Sequence, residues 1–290
     1  MSTNALASFV RQHPRLFVLT GAGISTASGI PGYRDAEGRW MRAEPVRLQD
    51  FLASDAMRRR YWMRSMVGYP LIARAQPNPA HHALARLERE GYLAALVTQN
   101  VDGLHQSAGN AGVIELHGSL STVTCRDCGS TRPRAVVQEM MERDNPGFAL
   151  AAGPGAPDGD ADVDTDLDTI AAAFRVPTCP ACDGMLKPDV VFFGEGVPTA
   201  RVERARLALA LADAMLVIGS SLMVWSGYRF CEWAHAADTP IAAINPGRTR
   251  ADPLFALKVA EPCAGPLCDL VTALQEAGAQ PPRRGARRRR

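Results

Sequence analysis

Short apolar runs set what this chain can fold into. Leu16–Thr20, Leu93–Val97, Val113–Leu116, Val190–Phe193, Met215–Ile218 and Ile241–Ile244 are each four or five residues long and almost free of charge. Runs of that length without polar alternation suit strands buried on both faces. Helical patterns lie between them, such as the stretch opened by Asn78-Pro79 and running through HHALARLERE, and Arg204–Ala212. Strands alternating with helices predict an α/β fold: a doubly wound parallel sheet of Rossmann-like type. Nearly every run stops at a small or polar residue. Gly21 follows the first, Gln99, Asn100 and Asp102 the second, and His117 the third; Gly194-Glu195, Gly219-Ser220-Ser221 and Asn245-Pro246-Gly247 follow the others. Ligands of open parallel sheets bind beyond the carboxyl ends of the strands. The repeated placement therefore points to a nucleotide site.

The stretch Thr98–Gly118, TQNVDGLHQSAGNAGVIELHG, joins two such ends. Any one of its polar residues suits a turn; an amide pair, a carboxylate and an imidazole together read as a site. After the first run comes GAGISTASGIPGYR. Its glycines allow close approach of backbone to a ligand, and Ser25, Thr26 and Ser28 are placed to cap a following helix whose N–H groups suit a pyrophosphate. This is not GxGxxG, and a plain strand–helix turn explains it equally well. Residues 36–79 show no clear strand and read as helices and loops. Within them Tyr61 and Arg64 share one helical face. Asn78 is an N-cap with Pro79 at N1. His81 and His82 point to different faces, have no partner four residues on, and are read as structural.

Cys125-Arg-Asp-Cys128 and Cys179-Pro-Ala-Cys182 form two Cys-x-x-Cys knuckles, each with a glycine soon after. Two such pairs predict one tetrahedral zinc site. It is structural, because four thiolates leave no open position. Cys231, Cys263 and Cys268 are scattered, which suits a reducing compartment better than a disulfide scaffold. Between the knuckles, AAGPGAPDGDADVDTDLD lacks the spacing of a calcium loop and is expected to be a mobile acidic loop. The 47% apolar and 21% charged content is that of an ordinary soluble globule. No apolar run approaches the roughly 18 residues of a membrane span, and the N-terminus lacks a secretory pattern. The net charge is +2, but six arginines stand in the last eight residues, leaving −4 on the rest. The body is thus no nucleic-acid binder by charge. The tail offers the one contact to nucleic acid or an acidic partner, and is expected to be disordered and solubilising.

From Leu16 to Cys263 the chain resembles a sirtuin, an NAD-dependent protein deacylase. The ordered motifs are GAGIS…SGIPGYR, TQNVDGLH, ELHG, the two cysteine pairs, LKPDVVFFGE, IGSSL and the late Asn245. QPNPAHHAL, VPTCPAC, LKPDVVFFGE and SGYRF make it similar to the class II branch, which includes the lipoamidase/ADP-ribosyltransferase sirtuin of animals. The resemblance implies a Rossmann-like NAD-binding domain (1–36, 80–120 and 188–275), an inserted helical module (37–79), a zinc module (121–187) and the tail (276–290). It implies that Gly21, Ala22, Gly23, Ser25 and Arg34 serve the phosphate side of NAD. Gln99, Asn100 and Asp102 would shape the nicotinamide and ribose pocket. Gly219, Ser220, Ser221, Asn245, Pro246, Gly247 and Cys263 would line the adenosine half. Val191, Phe192, Phe193, Gly194 and Glu195 would pair with the backbone of an acyl-lysine substrate. Tyr61 and Arg64 resemble the pair with which another branch binds acidic acyl groups. One departure stands out: Gly32 sits where sirtuins usually carry Asp or Asn.

The implied chemistry uses NAD as an ADP-ribosyl donor. The acyl oxygen attacks C1′ of the nicotinamide ribose, nicotinamide leaves, and His117 serves as general base toward a ribose hydroxyl, with Asn100 orienting ribose and water. The products are amine and O-acyl-ADP-ribose. Protein mono-ADP-ribosylation at the same site is the alternative. A nicotinamide dehydrogenase would show GxGxxG and an acid at the end of the second strand, where this chain has Thr98-Gln99-Asn100. A zinc-bearing binding module using the arginine tail is the non-catalytic rival. The expected partner is acylated lysine on proteins, in a bacterial cytoplasm, with the enzyme a monomer and no membrane contact.

Overall fold

The computed structural model describes residues 2–35, 37–39, 41, 45–148 and 172–278. The acidic stretch 151–168 and the arginine tail lie outside the described residues. The strands in chain order are β1 (Leu16–Thr20), β2 (Leu93–Thr98), β3 (Ile114–Glu115), β4 (Gly118–Cys125), β5 (Thr131–Pro133), β6 (Leu186–Val190), β7 (Ala214–Ile218), β8 (Ile241–Ile244) and β9 (Leu257–Val259). The helices are α1 (Ser2–Gln12), α2 (Leu48–Ala53), α3 (Asp55–Arg74), α4 (Pro79–Arg89), α5 (Leu104–Ser107), α6 (Arg134–Asp144), α7 (Thr199–Leu209), α8 (Trp225–Ala236) and α9 (Ala264–Glu276).

Six of the strands form one parallel sheet in the order β3-β2-β1-β7-β8-β9. The chain starts at the middle, winds outward to β3, returns to β7 beside β1, and winds out the other way. That reversal is a topological switch point, where such sheets open a crevice at their carboxyl ends. The ends are level, since Thr20 pairs with both Thr98 and Ile218, and Ile218 with Ile244.

Both faces are covered, as the unbroken apolar runs require. Leu16, Val18, Leu216, Ile218, Ala242 and Ile244 pack on one side with Leu6 and Val10 of α1, Leu84 and Leu87 of α4, and Leu267 and Leu270 of α9. The alternate residues Phe17, Leu19, Met215, Val217, Ile241 and Ala243 meet Val202 and Ala205 of α7 and Phe230 and Ala234 of α8. Successive side chains of a strand point to opposite faces, so each run feeds two cores. Helix α4 starts as expected: Asn78 Oδ1 accepts the Ala80 N–H at 2.9 Å, and Asn78 N–H donates to His81 Nδ1 at 3.3 Å.

One strand is placed differently from the sequence reading. The run Val190–Phe193 is not in the parallel sheet. Its neighbour β6 ends at Val190 and lies in a three-stranded antiparallel sheet, β5-β4-β6. Beyond it Val191–Glu195 is irregular apart from a parallel bridge of Phe193 to Arg47. An apolar run alone does not say which sheet it joins. The small sheet, α6, α2 and α3 share one further core, built from Phe51, Trp62, Met66, Val123, Val137, Met141, Leu186 and Phe192.

Candidate active site

At the switch point the loops after β1 and β7 touch through backbone. Gly21 N–H donates to the Ile218 carbonyl at 3.0 Å, and Gly23 N–H to the Gly219 carbonyl at 2.8 Å. A Cβ on Gly23 would lie 2.8 Å from Gly219 Cα. The expected helix start is replaced here by two 3₁₀ turns, Ala22–Ile24 and Thr26–Ser28, neither with a side-chain cap. The serine and threonine side chains are used elsewhere. Ser25 donates to Asp102 Oδ2 at 2.7 Å, Thr26 to the Gly23 carbonyl at 3.0 Å, and Ser28 accepts from Asn78 at 2.9 Å.

The end of β2 supplies amides and a carboxylate. Asn100 donates through Nδ2 to the Gly21 carbonyl at 3.2 Å and to Ser25 at 3.1 Å. Asp102 Oδ1 accepts the Leu104 N–H at 3.0 Å. Gln99 Nε2 donates to Ser220 Oγ at 2.8 Å, linking the ends of β2 and β7. Gln99, Asn100 and Asp102 each keep part of their surface exposed. Beneath them is a buried polar layer that sequence reasoning missed. Thr20 donates to Thr98 at 2.9 Å, and its hydroxyl lies 2.9 Å from His105 Nε2. His105 was visible in TQNVDGLH, but nothing in that string marked it as buried.

His117 stands where the main sheet hands over to the small one, between β3 and β4. Its carbonyl accepts the Val191 N–H at 2.8 Å. Its Nδ1 lies 2.9 Å from the Gln99 carbonyl and its Nε2 2.7 Å from Ser226 Oγ. A carbonyl only accepts, so Nδ1 carries the ring hydrogen in the neutral form and Nε2 carries the lone pair. Burial pushes the imidazole down to about 4; the Gln99 carbonyl opposes this, and Arg201 and Arg229 add to it. At neutral pH His117 is an uncharged base with its basic nitrogen defined.

The residues expected to line the adenosine half gather at the ends of β7 and β8. Ser220 Oγ accepts the Leu222 N–H at 3.2 Å, and the Ser221 carbonyl accepts the Arg250 N–H at 2.9 Å. Asn245 Nδ2 and Lys258 Nζ both donate to the Gly247 carbonyl at 2.9 Å, fixing the turn through Pro246. Cys263 is buried under this floor, and burial pushes its thiol up to about 11, so it stays protonated. Arg34 is held by its own loop, donating to the Gly38 carbonyl at 2.8 Å. Among the described residues a Cβ on Gly32 meets Arg34 backbone, at 3.6 Å, and nothing closer.

The expected substrate segment is braced from inside. Phe192 N–H donates to Glu195 Oε2 at 2.9 Å, and the same carboxylate pairs with Lys187 at 2.9 Å. The Lys187 ammonium lies 4.5 Å from the centre of the Phe192 ring. Glu195 thus ties its own segment to β6 through its carboxylate. The Phe193 carbonyl accepts the Leu48 N–H at 2.9 Å, and Gly194 is exposed beside them. Tyr61 packs on Phe192, ring centres 4.9 Å apart, while Arg64 on the same helix is 5% exposed.

The four cysteines converge. Their sulfurs lie within 4.8 Å of one another, with Cys125–Cys182 at 3.6 Å and Cys128–Cys179 at 3.8 Å. A tetrahedron with zinc–sulfur bonds of about 2.3 Å has edges of about 3.8 Å, so Cys125, Cys128, Cys179 and Cys182 fit a zinc ion.

The model of the Sir2 family matches residues 21–226. An "NAD-dependent protein deacetylase" of Xanthomonas campestris pv. campestris (strain 8004) is 57% identical over 267 residues, 92% of this chain and 90% of that protein. "NAD-dependent protein deacetylase 2" of Bradyrhizobium diazoefficiens is 52% identical over 93% of this chain and 98% of its own. Among solved structures, a Sir2 with a p53 peptide and NAD+ superposes with a TM-score of 0.73 at 26% identity, covering 96% of this chain and 99% of that one. A Sir2 enzyme described for its mechanism and regulation gives a TM-score of 0.75 at 29% identity, over 95% and 98%.

Proposed function

The chain belongs to the Sir2 family, and on that premise we propose that it is an NAD-dependent protein-lysine deacylase. The observation that carries the reading is His117, an imidazole whose basic nitrogen is fixed by its neighbours and kept neutral by burial. Bound NAD supplies the ADP-ribosyl group that accepts the acyl group as nicotinamide leaves. The chain's own residues do the rest. Gly21, Ala22, Gly23, Ser25 and Arg34 hold the phosphate side. Gln99, Asn100 and Asp102, braced by Ser25 and Ser220, shape the nicotinamide and ribose side. Gly219, Ser220, Ser221, Asn245, Pro246, Gly247 and Cys263 floor the adenosine side. His117 takes a proton at Nε2. Val191–Gly194 offers backbone to the acylated peptide, and Glu195 supports that segment from behind. Zinc in the four thiolates is structural.

The finer assignments rest on sequence. SGYRF and VPTCPAC support the class II branch, and the division of the chain into NAD-binding domain, helical module, zinc module and tail follows the motif order. The burial of Arg64 favours acetyl over acidic acyl groups. Among the described residues no helix is long and apolar enough to cross a membrane, and the relatives named above are bacterial, which supports a cytoplasmic enzyme; we assign it as a monomer.

The deciding experiment incubates the protein with NAD and acetyl-, glutaryl- and lipoyl-lysine peptides and identifies products by mass spectrometry. Nicotinamide and O-acyl-ADP-ribose are expected, with no NADH absorbance. His117→Ala is expected to stay folded and zinc-loaded and to lose deacylation by at least ~100-fold. Wild-type turnover in that variant removes His117 from the chemistry. ADP-ribosylated protein with no deacylated peptide replaces this reading by the transferase one. Unchanged selectivity in Arg64→Ala confirms that Arg64 does not read the acyl group.

A further inference from the structure

The string SGYRF supports a branch assignment, but its first residue touches the candidate base. Ser226 Oγ lies 2.7 Å from His117 Nε2, and Ser226 is 8% exposed in the first turn of α8. The next residue makes this contact possible. A Cβ on Gly227 would run into the end of the Gln99 side chain, which would have to shift, so glycine lets the first turn of α8 settle on Gln99 where it stands. The Gln99 carbonyl holds the other nitrogen of the same ring. His117 is thus pinned from both sides, by β2 through Nδ1 and by α8 through Nε2.

The protons decide what the second contact does. With Nδ1 bearing the hydrogen, the Ser226 hydroxyl donates to Nε2. When Nε2 becomes protonated that donation must end. A hydroxyl also accepts, so Ser226 can turn and receive the new N–H. This second bond is charge-assisted and the stronger of the two. The surroundings otherwise disfavour the cation. The charges of Arg201 on α7 and Arg229 on α8 oppose protonation of the ring, and the amino end of α8 carries a partial positive charge. Asp189, at the end region of β6, is occupied by Arg201 at 3.0 Å. The Gln99 carbonyl is the other neighbour that favours a protonated ring.

We propose that Ser226 is a positioning residue for the deacylation: its hydroxyl donates to the one lone pair of Nε2 and fixes the His117 ring, yields that place to the ribose hydroxyl whose proton Nε2 takes, and then turns to share the new N–H as an acceptor. The proposal rests on the deacylase reading, so its test has a part that does not depend on turnover. The ¹⁵N resonance of His117 Nε2, identified by its loss in His117→Gln, is measured at neutral pH in the zinc-loaded full chain without NAD. In Ser226→Ala it moves to the position of an imidazole nitrogen that accepts no hydrogen bond, and in Ser226→Thr it stays near wild type. With NAD and acetyl-lysine peptide, Ser226→Ala lowers kcat about tenfold, the difference between a charge-assisted and a neutral hydrogen bond. KM for NAD changes less than about twofold, and threonine restores kcat. Ser226→Cys, nearly isosteric with a poor hydrogen-bonding group, carries the same expectation if the alanine variant does not fold. An unmoved resonance or an unmoved kcat in Ser226→Ala overturns the assignment, as does a threonine variant no better than alanine. A wild type that releases no nicotinamide sinks the deacylase reading, while the resonance still reports whether Ser226 holds the ring.

Discussion

His81, His105 and His117 are all held uncharged by burial. The first two lie outside the set of residues proposed to meet cofactor or substrate. His105 is pushed down to about 3 and His81 to about 4, and their rings meet edge to face with centres 4.9 Å apart. Burial dominates both shifts; Asp102 partly offsets it at His81, and His81 adds to it at His105. In the unfolded chain an imidazole titrates near 6.5. Between that pH and the folded values the unfolded state binds the extra protons. Stability is therefore full above about pH 6.5 and falls as the pH drops toward 4, by up to about 1.4 kcal/mol per pH unit for each imidazole. Urea unfolding at pH 7 and pH 5 is expected to show a clear loss at pH 5. In His105→Gln that loss shrinks, even if the variant is less stable at pH 7. Equal pH dependence in both proteins rejects the account. Sequence showed the three histidines but ranked only His117, at a strand end beside glycine. The burial of His105 depends on Thr20 and Thr98 meeting across two strands, a pairing that no local pattern announces.

At the scale of elements, the strand ends were legible because short apolar runs and their polar stops are local. What was not legible was how the two sheets join. That joint is Gly118, with φ +83° and Asp189 packed against the position a Cβ would take. The carbonyl of Asp189 leaves no room there, and Gly118 pairs with Val190. Gly118→Ala is expected to cost at least about 2 kcal/mol, and to reduce kcat by displacing the adjoining His117. A thermal melt beside single-turnover rates checks both; a variant with wild-type Tm shows that the joint gives way freely. The loop after β1 teaches the opposite lesson. GAGIST looked like a helix start, yet the chain turns in two 3₁₀ steps because Ser25 and Thr26 bond to Asp102 and Gly23 instead of capping. Gly32 lies in the same loop region, and among the described residues a Cβ there meets nothing closer than 3.6 Å. Gly32→Asn is expected to lower KM for NAD by restricting the unbound loop, by about twofold to fivefold. An unchanged or higher KM shows that the departure from the family pattern has no such effect.

Across the whole molecule, the helical insert and the cysteine module read from sequence as separate pieces, and the fold packs them as one. Arg134 of α6 is fully buried; it donates to the carbonyl and hydroxyl of Ser65 in α3 at 3.0 and 3.1 Å and lies over the Tyr69 ring at 4.3 Å. Gln138 donates to the Met66 carbonyl at 2.9 Å, so α3 and α6 are tied by polar bonds through a shared apolar core. Cys125 and Cys179 belong to that core, and so do Phe51, Tyr61 and Phe192. Removing the metal therefore acts beyond the knuckles. Four thiols at contact distance lose the ion that holds them, and the same core carries the segment proposed to bind peptide. Chelation is expected to release one zinc per chain and to speed hydrogen exchange across β4, β5, β6, α6 and the Phe192 region. The strands β1, β7 and β8, buried in two other cores, keep their protection. In functional terms the peptide KM rises before NAD binding weakens. If exchange instead quickens equally in the parallel sheet, the two halves unfold as one unit, and zinc supports the nucleotide side as directly as the peptide side.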